Sequence, residues 1–190
     1  MKPIRVLLWF LVIGVVHVSG QSRYAIEADP AAYLLNGYSV TLRMMPSSAP
    51  HALFSLNYTG SVDLPDALIN LNHKNEDKGW HLSCEQCVGI ALEHAREAAF
   101  EGFHFGVFVM LNSFHIRNDA LPIEDDFMSL QCLVRAGWMW YPLQQKHVYV
   151  NPSLAIGPQK VIYGDHALVN QIYDVSFLEF LPTVRLGFVF

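Results

Sequence analysis

Ser113, His115 and Asp119 lie close together and supply the three side-chain types of a hydrolase triad. In such a triad a hydroxyl attacks, an imidazole takes its proton and a carboxylate holds the imidazole; spacing alone fixes none of that geometry. Cys84-x-x-Cys87 has the spacing of a redox or zinc pair. At strand spacing, however, positions three apart point to opposite faces. With Cys132 the cysteine count is odd, which favours isolated buried thiols. Asp63, Asp66, Glu76 and Asp77 could gather a divalent cation. They lack the Asp-x-Asp-x-Asp-Gly spacing of a calcium loop, so a solvated loop is the simpler reading. The residues therefore assign no catalytic, cofactor-binding or metal-binding group. What remains is a set of opposite charges: Arg43, Arg135 and Arg185 with Glu85, Glu93 and Glu179, joined by His81 and His104.

The elements that position those charges are strands. In residues 178–190, Leu178, Phe180, Val184, Leu186, Phe188 and Phe190 fall on even positions, and Glu179, Thr183, Arg185 and Gly187 lie between them. Period-two alternation marks a strand with one apolar and one polar face. The same pattern recurs upstream. Residues 37–45 set Tyr38, Val40, Leu42 and Met44 against Ser39, Thr41 and Arg43, and residues 52–59 set Phe54, Leu56 and Tyr58 against Ser55, Asn57 and Thr59. Residues 79–93 set Trp80, Leu82, Cys84, Val88, Ile90 and Leu92 against His81, Ser83, Glu85, Gly89 and Glu93. Residues 100–116 place Phe103, Phe105, Val107, Val109 and Leu111 opposite His104, Gly106 and Asn112. Residues 127–141 place Met128, Leu130, Val134, Trp138 and Trp140 opposite Ser129, Gln131, Arg135 and Gly137. Residues 147–157 place Val148, Val150, Leu154 and Ile156 opposite Tyr149, Asn151 and Ser153. Residues 24–30 form a weak first strand, which brings the expected number to eight.

Composition agrees. Apolar residues make up 52% of the 190 and charged residues 15%, against about 25% charged in an ordinary soluble domain. After the first twenty residues no apolar run is long enough for a spanning helix, so the apolar content is dispersed in alternation. Those twenty residues, with Lys2 and Arg5 before an apolar run, read as a secretory signal peptide, leaving residues 21–190 as the barrel domain. The net charge of −5 becomes more acidic without Lys2 and Arg5, which disfavours a nucleic-acid partner.

The alternation, the terminal Phe190 and the connection lengths together resemble small bacterial outer-membrane β-barrels. Connections at 46–51, 94–99 and 142–146 are short, whereas those at 60–78, 118–126 and 158–172 are longer. Barrels of that kind have short periplasmic turns, longer external loops and an even number of strands. The resemblance implies an all-β fold, an eight-stranded antiparallel transmembrane barrel with up-and-down meander topology, in the outer membrane of a Gram-negative cell. It implies outer-membrane lipid as surroundings, and periplasmic chaperones and the barrel assembly machinery as partners. It also implies that Val184, Leu186, Phe188 and Phe190 form part of an assembly signal. Pro152 and Pro182, inside strands, and the three cysteines depart from the pattern.

The polar face, rich in Ser, Thr, Gly, Asn and Gln and free of strand lysines, suits a narrow hydrogen-bonded interior better than a solvated exterior. Aromatic residues near strand ends, Tyr38, Tyr58 and Trp80 at one side and Trp138, Trp140, Phe188 and Phe190 at the other, match interfacial girdles. The expected protein is thus a non-enzymatic barrel with a structural or surface-interaction role. Its lumen would be filled by Arg43, Glu85, Glu93, Arg135, Glu179 and Arg185, with no cofactor. A lipid-modifying barrel enzyme (acyltransferase or deacylase type) and a soluble lipocalin-like binder of apolar ligands are the alternatives.

Overall fold

A computed structural model describes residues 22–73, 79–119, 124–143, 147–164 and 175–190. Residues 1–20, read as a signal peptide, lie outside them. Eight antiparallel strands close into one barrel in sequence order: β1 (Arg23–Ala28), β2 (Tyr38–Met45), β3 (Ala52–Asp63), β4 (Trp80–Ala95), β5 (Gly102–Asn118), β6 (Glu124–Met139), β7 (Val148–Tyr163) and β8 (Leu178–Val189). Pairing of Ala25 with Val189 through Ala28 with Leu186 closes the ring. Two short helices, α1 (Pro30–Leu34) and α2 (Asp66–His73), lie in the connections after β1 and β3. The termini of the strand ring and the connections after β2, β4 and β6 share one end, the turn end; the helices and the connections after β1, β3, β5 and β7 share the other, the loop end. The connection after β5, expected to be one of the longer ones, spans only 119–123, less than 140–147 at the turn end, because β5 and β6 both extend into it.

Side-chain alternation places an apolar residue from each strand on the outside: Ile26, Val40, Phe54, Ile90, Val107, Val134, Leu154 and Leu186 are all exposed. Exposed apolar residues around a complete ring exceed the apolar patches of a soluble surface. Trp138, Trp140, Phe103, Phe188 and Phe190 girdle this band at the turn end, and the Tyr38 and Tyr58 rings meet toward the loop end. Belts of that kind mark membrane–water interfaces.

The inside is layered. At the turn end Ala25, Met45, Leu53, Ala95, Phe100, Met139 and Tyr149 form a small apolar lid. Polar and charged side chains follow, and toward the loop end an apolar cluster built on Trp80, Leu82, Phe108, Phe114, Ile116 and Phe127 fills the bore. Gly187 lies opposite Tyr149 in the β7–β8 ladder, and its bare α-carbon accommodates the Tyr149 ring, which a Cβ there would strike.

Several elements differ from expectation. β3, β5 and β7 run further toward the loop end than their apolar alternation indicates, to Asp63, Asn118 and Tyr163, and β6 begins earlier, at Glu124. In β4 the pairing with β5 shifts by one residue between Cys84 and Gln86. That bulge reverses parity, so Trp80, Leu82 and Cys84, expected outside, are buried inside. Ser83 turns outward, and Glu85, expected in the lumen, is exposed. Cys84 and Cys87 span the bulge as a disulfide with both residues buried, in place of the isolated thiols expected. The extra residue lets positions three apart share a face. Cys132 is a free, exposed thiol on the outer face.

β1 is short because Asp29 and Pro30 start a helix. The Asp29 side chain accepts a hydrogen bond from Ala31 N at 3.0 Å, capping α1, and Pro30 occupies its first turn. The β1–β8 ladder ends at Ala28 and Leu186, so residues 178–185 of β8 extend beyond it. There α1 stands in the wall, touching β2, β3 and β8. Its Ala32 is buried in the apolar cluster while Tyr33 and Leu34 are exposed.

Candidate functional site

The densest chemistry is in the polar layer of the lumen. Odd-numbered residues of β1, β2, β3, β4, β6, β7 and β8 point inward at this level, together with His104 of β5. Glu93 is its centre. Its carboxylate accepts from Arg135 Nε at 2.8 Å and Arg135 Nη2 at 2.7 Å, from Arg43 Nη1 at 3.1 Å, and meets His104 Nδ1 at 3.0 Å. Arg135 also donates to Ser55 Oγ at 3.0 Å, and its guanidinium lies 4.4 Å from the Phe108 ring centroid. Arg43 continues to Glu27, with Nε 2.9 Å from Oε2. Glu27 Oε1 accepts from Tyr149 Oη at 2.8 Å and Asn151 Nδ2 at 3.0 Å, and Asn151 Oδ1 faces His104 Nε2 at 3.0 Å. The chain of contacts thus crosses the bore from β1 to β6 and back through β7.

Each of these side chains is nearly or fully buried. Desolvating a guanidinium and a carboxylate is expensive, and only close multiple contacts repay it. Here the bidentate Arg135–Glu93 pair supplies the strong geometry. The network ties strands on opposite sides of the barrel by side chains rather than by ladder bonds.

The structure brings together Arg43, Glu93 and Arg135 from the expected set. Arg185 is buried on the same inward face but has no hydrogen bond or ion pair within 4 Å among the described residues. Glu179 is buried further toward the loop end, six residues along β8 and about 20 Å away at strand rise. Sequence reasoning missed Glu27. Its signal was the parity of β1, where Ala25 and Glu27 oppose the outward Ile26. Val184, Leu186, Phe188 and Phe190 are all exposed on the outer face.

A second group decorates the outer face at the loop end. The register aligns Ser83, His115 and Asp126 in one cross-strand row. His115 lies between two carboxylates, Nδ1 at 2.7 Å from Asp126 Oδ1 and Nε2 at 3.2 Å from Glu124 Oε1. Asp119, the carboxylate among those three residue types, meets His81 Nε2 at 2.7 Å and not His115. His81, expected in the lumen, is outside because of the β4 bulge. Ser83 Oγ reaches only Glu85, at 3.5 Å. Among the described residues no serine hydroxyl bonds to His115, so the row lacks the nucleophile–base contact of a triad. Of the acidic stretch, Asp63 accepts from Asn36 Nδ2 at 3.1 Å and Asp66 opens α2. Glu76 and Asp77 lie outside the described residues. Among the described residues no group of His, Cys, Asp and Glu is arranged to hold a metal ion.

The closed ring of eight strands, with its apolar exterior and filled interior, is a β-barrel of outer-membrane type. A solved structure shares it in outline. The N-terminal β-barrel domain of Pseudomonas aeruginosa OprF superposes with a TM-score of 0.50 at 14% identity, covering 90% of this chain and 100% of that one. A major outer membrane protein from Thermus thermophilus gives 0.48 at 8% identity, over 90% and 100% of the two chains. The likeness rests on the first, and at that identity it concerns the fold. No family model and no curated protein sequence matches the chain.

Proposed function

We propose that this is a non-enzymatic outer-membrane barrel with a structural or surface-interaction role, its loop end facing outward and its turn end in the periplasm. A single observation carries the reading: an apolar ring on all eight strands surrounds a bore closed by side chains. The ring requires hydrocarbon around it. Among the described residues, a lid, a charge layer and an apolar cluster fill the bore in succession. An eight-stranded barrel is just wide enough for its side chains to fill it. The first residues serve as a cleaved export signal, and the chain reaches the membrane through periplasmic chaperones and the assembly machinery, which reads Val184, Leu186, Phe188 and Phe190. What the protein offers its surroundings is then the loop end, with Asp63, Asp119, Glu124, Asp125 and Asp126 on or near its outer rim.

Membrane fractionation of expressing cells, with gel migration before and after heating, tests the placement. Recovery in the outer-membrane fraction with heat-modifiable migration is expected; recovery as a soluble periplasmic protein would remove the proposal. Reconstitution in planar bilayers tests the closed bore. No stable conductance step is expected, and a reproducible, ion-selective channel would move the function to transport.

A further inference from the structure

Prolines remove ladder donors around the row through Val184 of β8. On one side Val184 pairs with Pro152 of β7. Trp140 and Val150 exchange both ladder bonds, at 2.9 and 2.8 Å. Pro152, two residues on, therefore turns its missing N–H toward β6, opposite Trp138. On the other side the β1–β8 register would next set Pro30 opposite Val184, and Pro30 too has no N–H to give. Pro182 removes a third donor from the same edge of β8, since Phe190 N, on the same parity, bonds to Tyr24 of β1. Three prolines thus interrupt the ladders around one patch, where β1 has already ended.

A groove of about 720 Å³ opens on the outer face there. Its walls are apolar, among them Phe103, Trp138, Leu154 and Val184, and Ala136 keeps it open. Its lining also includes Ser153 and Thr183, whose inward hydroxyls bond to each other at 2.7 Å, and Asp29 and Ala31 at the start of α1. Next along the inward face of β8 is Arg185, 3% exposed. In the charge layer Glu93 is taken by Arg135 and Arg43, and Glu27 by Arg43. Asp29 and Glu27 act on Arg185 electrostatically, but neither comes within 4 Å, and Asp29 is engaged in capping α1. Among the described residues, local charge therefore leaves one buried cation without an anion in contact, a costly state that hydration alone does not neutralise.

We propose that this groove is a binding site for a long-chain carboxylate. The alkyl chain lies along the outer face between Trp138 and Val184. The carboxylate enters the wall beside Thr183, where β1 no longer covers β8, and pairs with Arg185. A single negative charge matches the one buried guanidinium with no anion in contact among the described residues, and a chain of methylenes matches walls that already face hydrocarbon.

The test uses the full chain purified in dodecyl maltoside, with radiolabelled palmitate and hexadecanol in equilibrium dialysis. Palmitate should bind at one site at least about tenfold more tightly than hexadecanol, the difference a charge-assisted pair supplies. Arg185→Gln should abolish that preference and Arg185→Lys should keep it. Ala136→Trp, which fills the groove, should remove binding of both probes, whereas Leu92→Trp, elsewhere on the apolar ring, should change neither. Palmitate bound no more tightly than hexadecanol, or bound equally by Arg185→Gln, overturns the proposal. Should Arg185→Gln fail to fold, as heat-modifiable migration reports, the comparison of the two probes on the parent and on Arg185→Lys decides. Displacement of palmitate by equimolar phosphatidylglycerol would overturn the carboxylate assignment.

Discussion

Glu93→Gln isolates the charge of the residue on which the lumen network converges. Glutamine keeps the volume and one acceptor oxygen, so no cavity opens and the change is electrostatic. Glu93 is buried and takes contacts from Arg135 at 2.7 and 2.8 Å, from Arg43 at 3.1 Å and from His104 at 3.0 Å. Arg43 keeps Glu27 at 2.9 Å, but Arg135 loses the only carboxylate in contact with it among the described residues. Breaking a buried pair by removing one partner costs about 3–5 kcal/mol. With one guanidinium still paired and an acceptor retained, the lower end, about 3 kcal/mol, is expected. Urea unfolding of the barrel folded into phospholipid vesicles, followed by tryptophan fluorescence, reads the loss as a lower midpoint at unchanged slope. Arg135→Met in both backgrounds completes a double-mutant cycle. Because Glu93→Gln strands Arg135, while Arg135→Met leaves Glu93 with Arg43 and His104, the double variant should recover at least about 1.5 kcal/mol relative to additivity. A loss under about 1 kcal/mol for Glu93→Gln, or additive behaviour in the cycle, would show that the pair does not hold the barrel as argued.

Orientation of the outer face is checked by Val107→Arg, expected to cost about 2–4 kcal/mol near the midplane, and by Leu186→Arg, expected to cost less, about 1–2 kcal/mol, because Leu186 lies one outward position from Phe188 of the girdle. Ser83→Arg, outward but beyond the apolar band, should stay within about 0.5 kcal/mol, and equal tolerance of all three in the same unfolding assay would refute the assignment of faces. Replacing both Cys84 and Cys87 by Ala should cost about 2 kcal/mol by the loop-entropy relation for so short a loop; an unchanged midpoint, with the disulfide shown present in the parent by thiol labelling, would show that the bulge needs no cross-link. Deleting Phe190 should lower the yield of membrane-inserted protein in cells while leaving the stability of barrel refolded in vitro within about 1 kcal/mol, and normal insertion in cells would count against an assembly role.

Much of the barrel is legible in the sequence because hydrocarbon outside and a crowded polar bore inside impose alternation on every strand that crosses the band. Ile26, Val107, Val134 and Leu186 are readable in that way, and so are Arg43, Glu93 and Arg135 on the opposite parity. Outside the band the rule lapses. β6 begins with Glu124, Asp125 and Asp126, and nothing in an acidic triplet announces a strand. Those residues pair with Arg117, Ile116 and His115, so their pairing is decided by the partner strand, which no local pattern displays. The Asp29–Pro30 step did carry a helix-start signal, but a six-residue β1 leaves too little alternation to show where the strand stops.

The β4 error has a more specific cause. Within the band, outward positions are apolar and inward ones polar. At the loop end the relation inverts: Trp80, Leu82, Phe114, Ile116 and Phe127 fill the bore, while His81, Ser83, His115 and Arg117 face out. In β5 the inversion is visible, since Val107, Val109 and Leu111 hand over to Phe114 and Ile116 on the other parity. In β4 the bulge inserts one residue at the same level. Inversion of polarity and reversal of parity then cancel, and Trp80, Leu82, Cys84, Val88, Ile90 and Leu92 read as one face, interrupted only at Gln86. The Cys84–Cys87 disulfide spans the point of cancellation. A spacing of three is the separation at which one extra residue brings two side chains back to the same face, so in a strand of this kind Cys-x-x-Cys is itself the signature of the bulge.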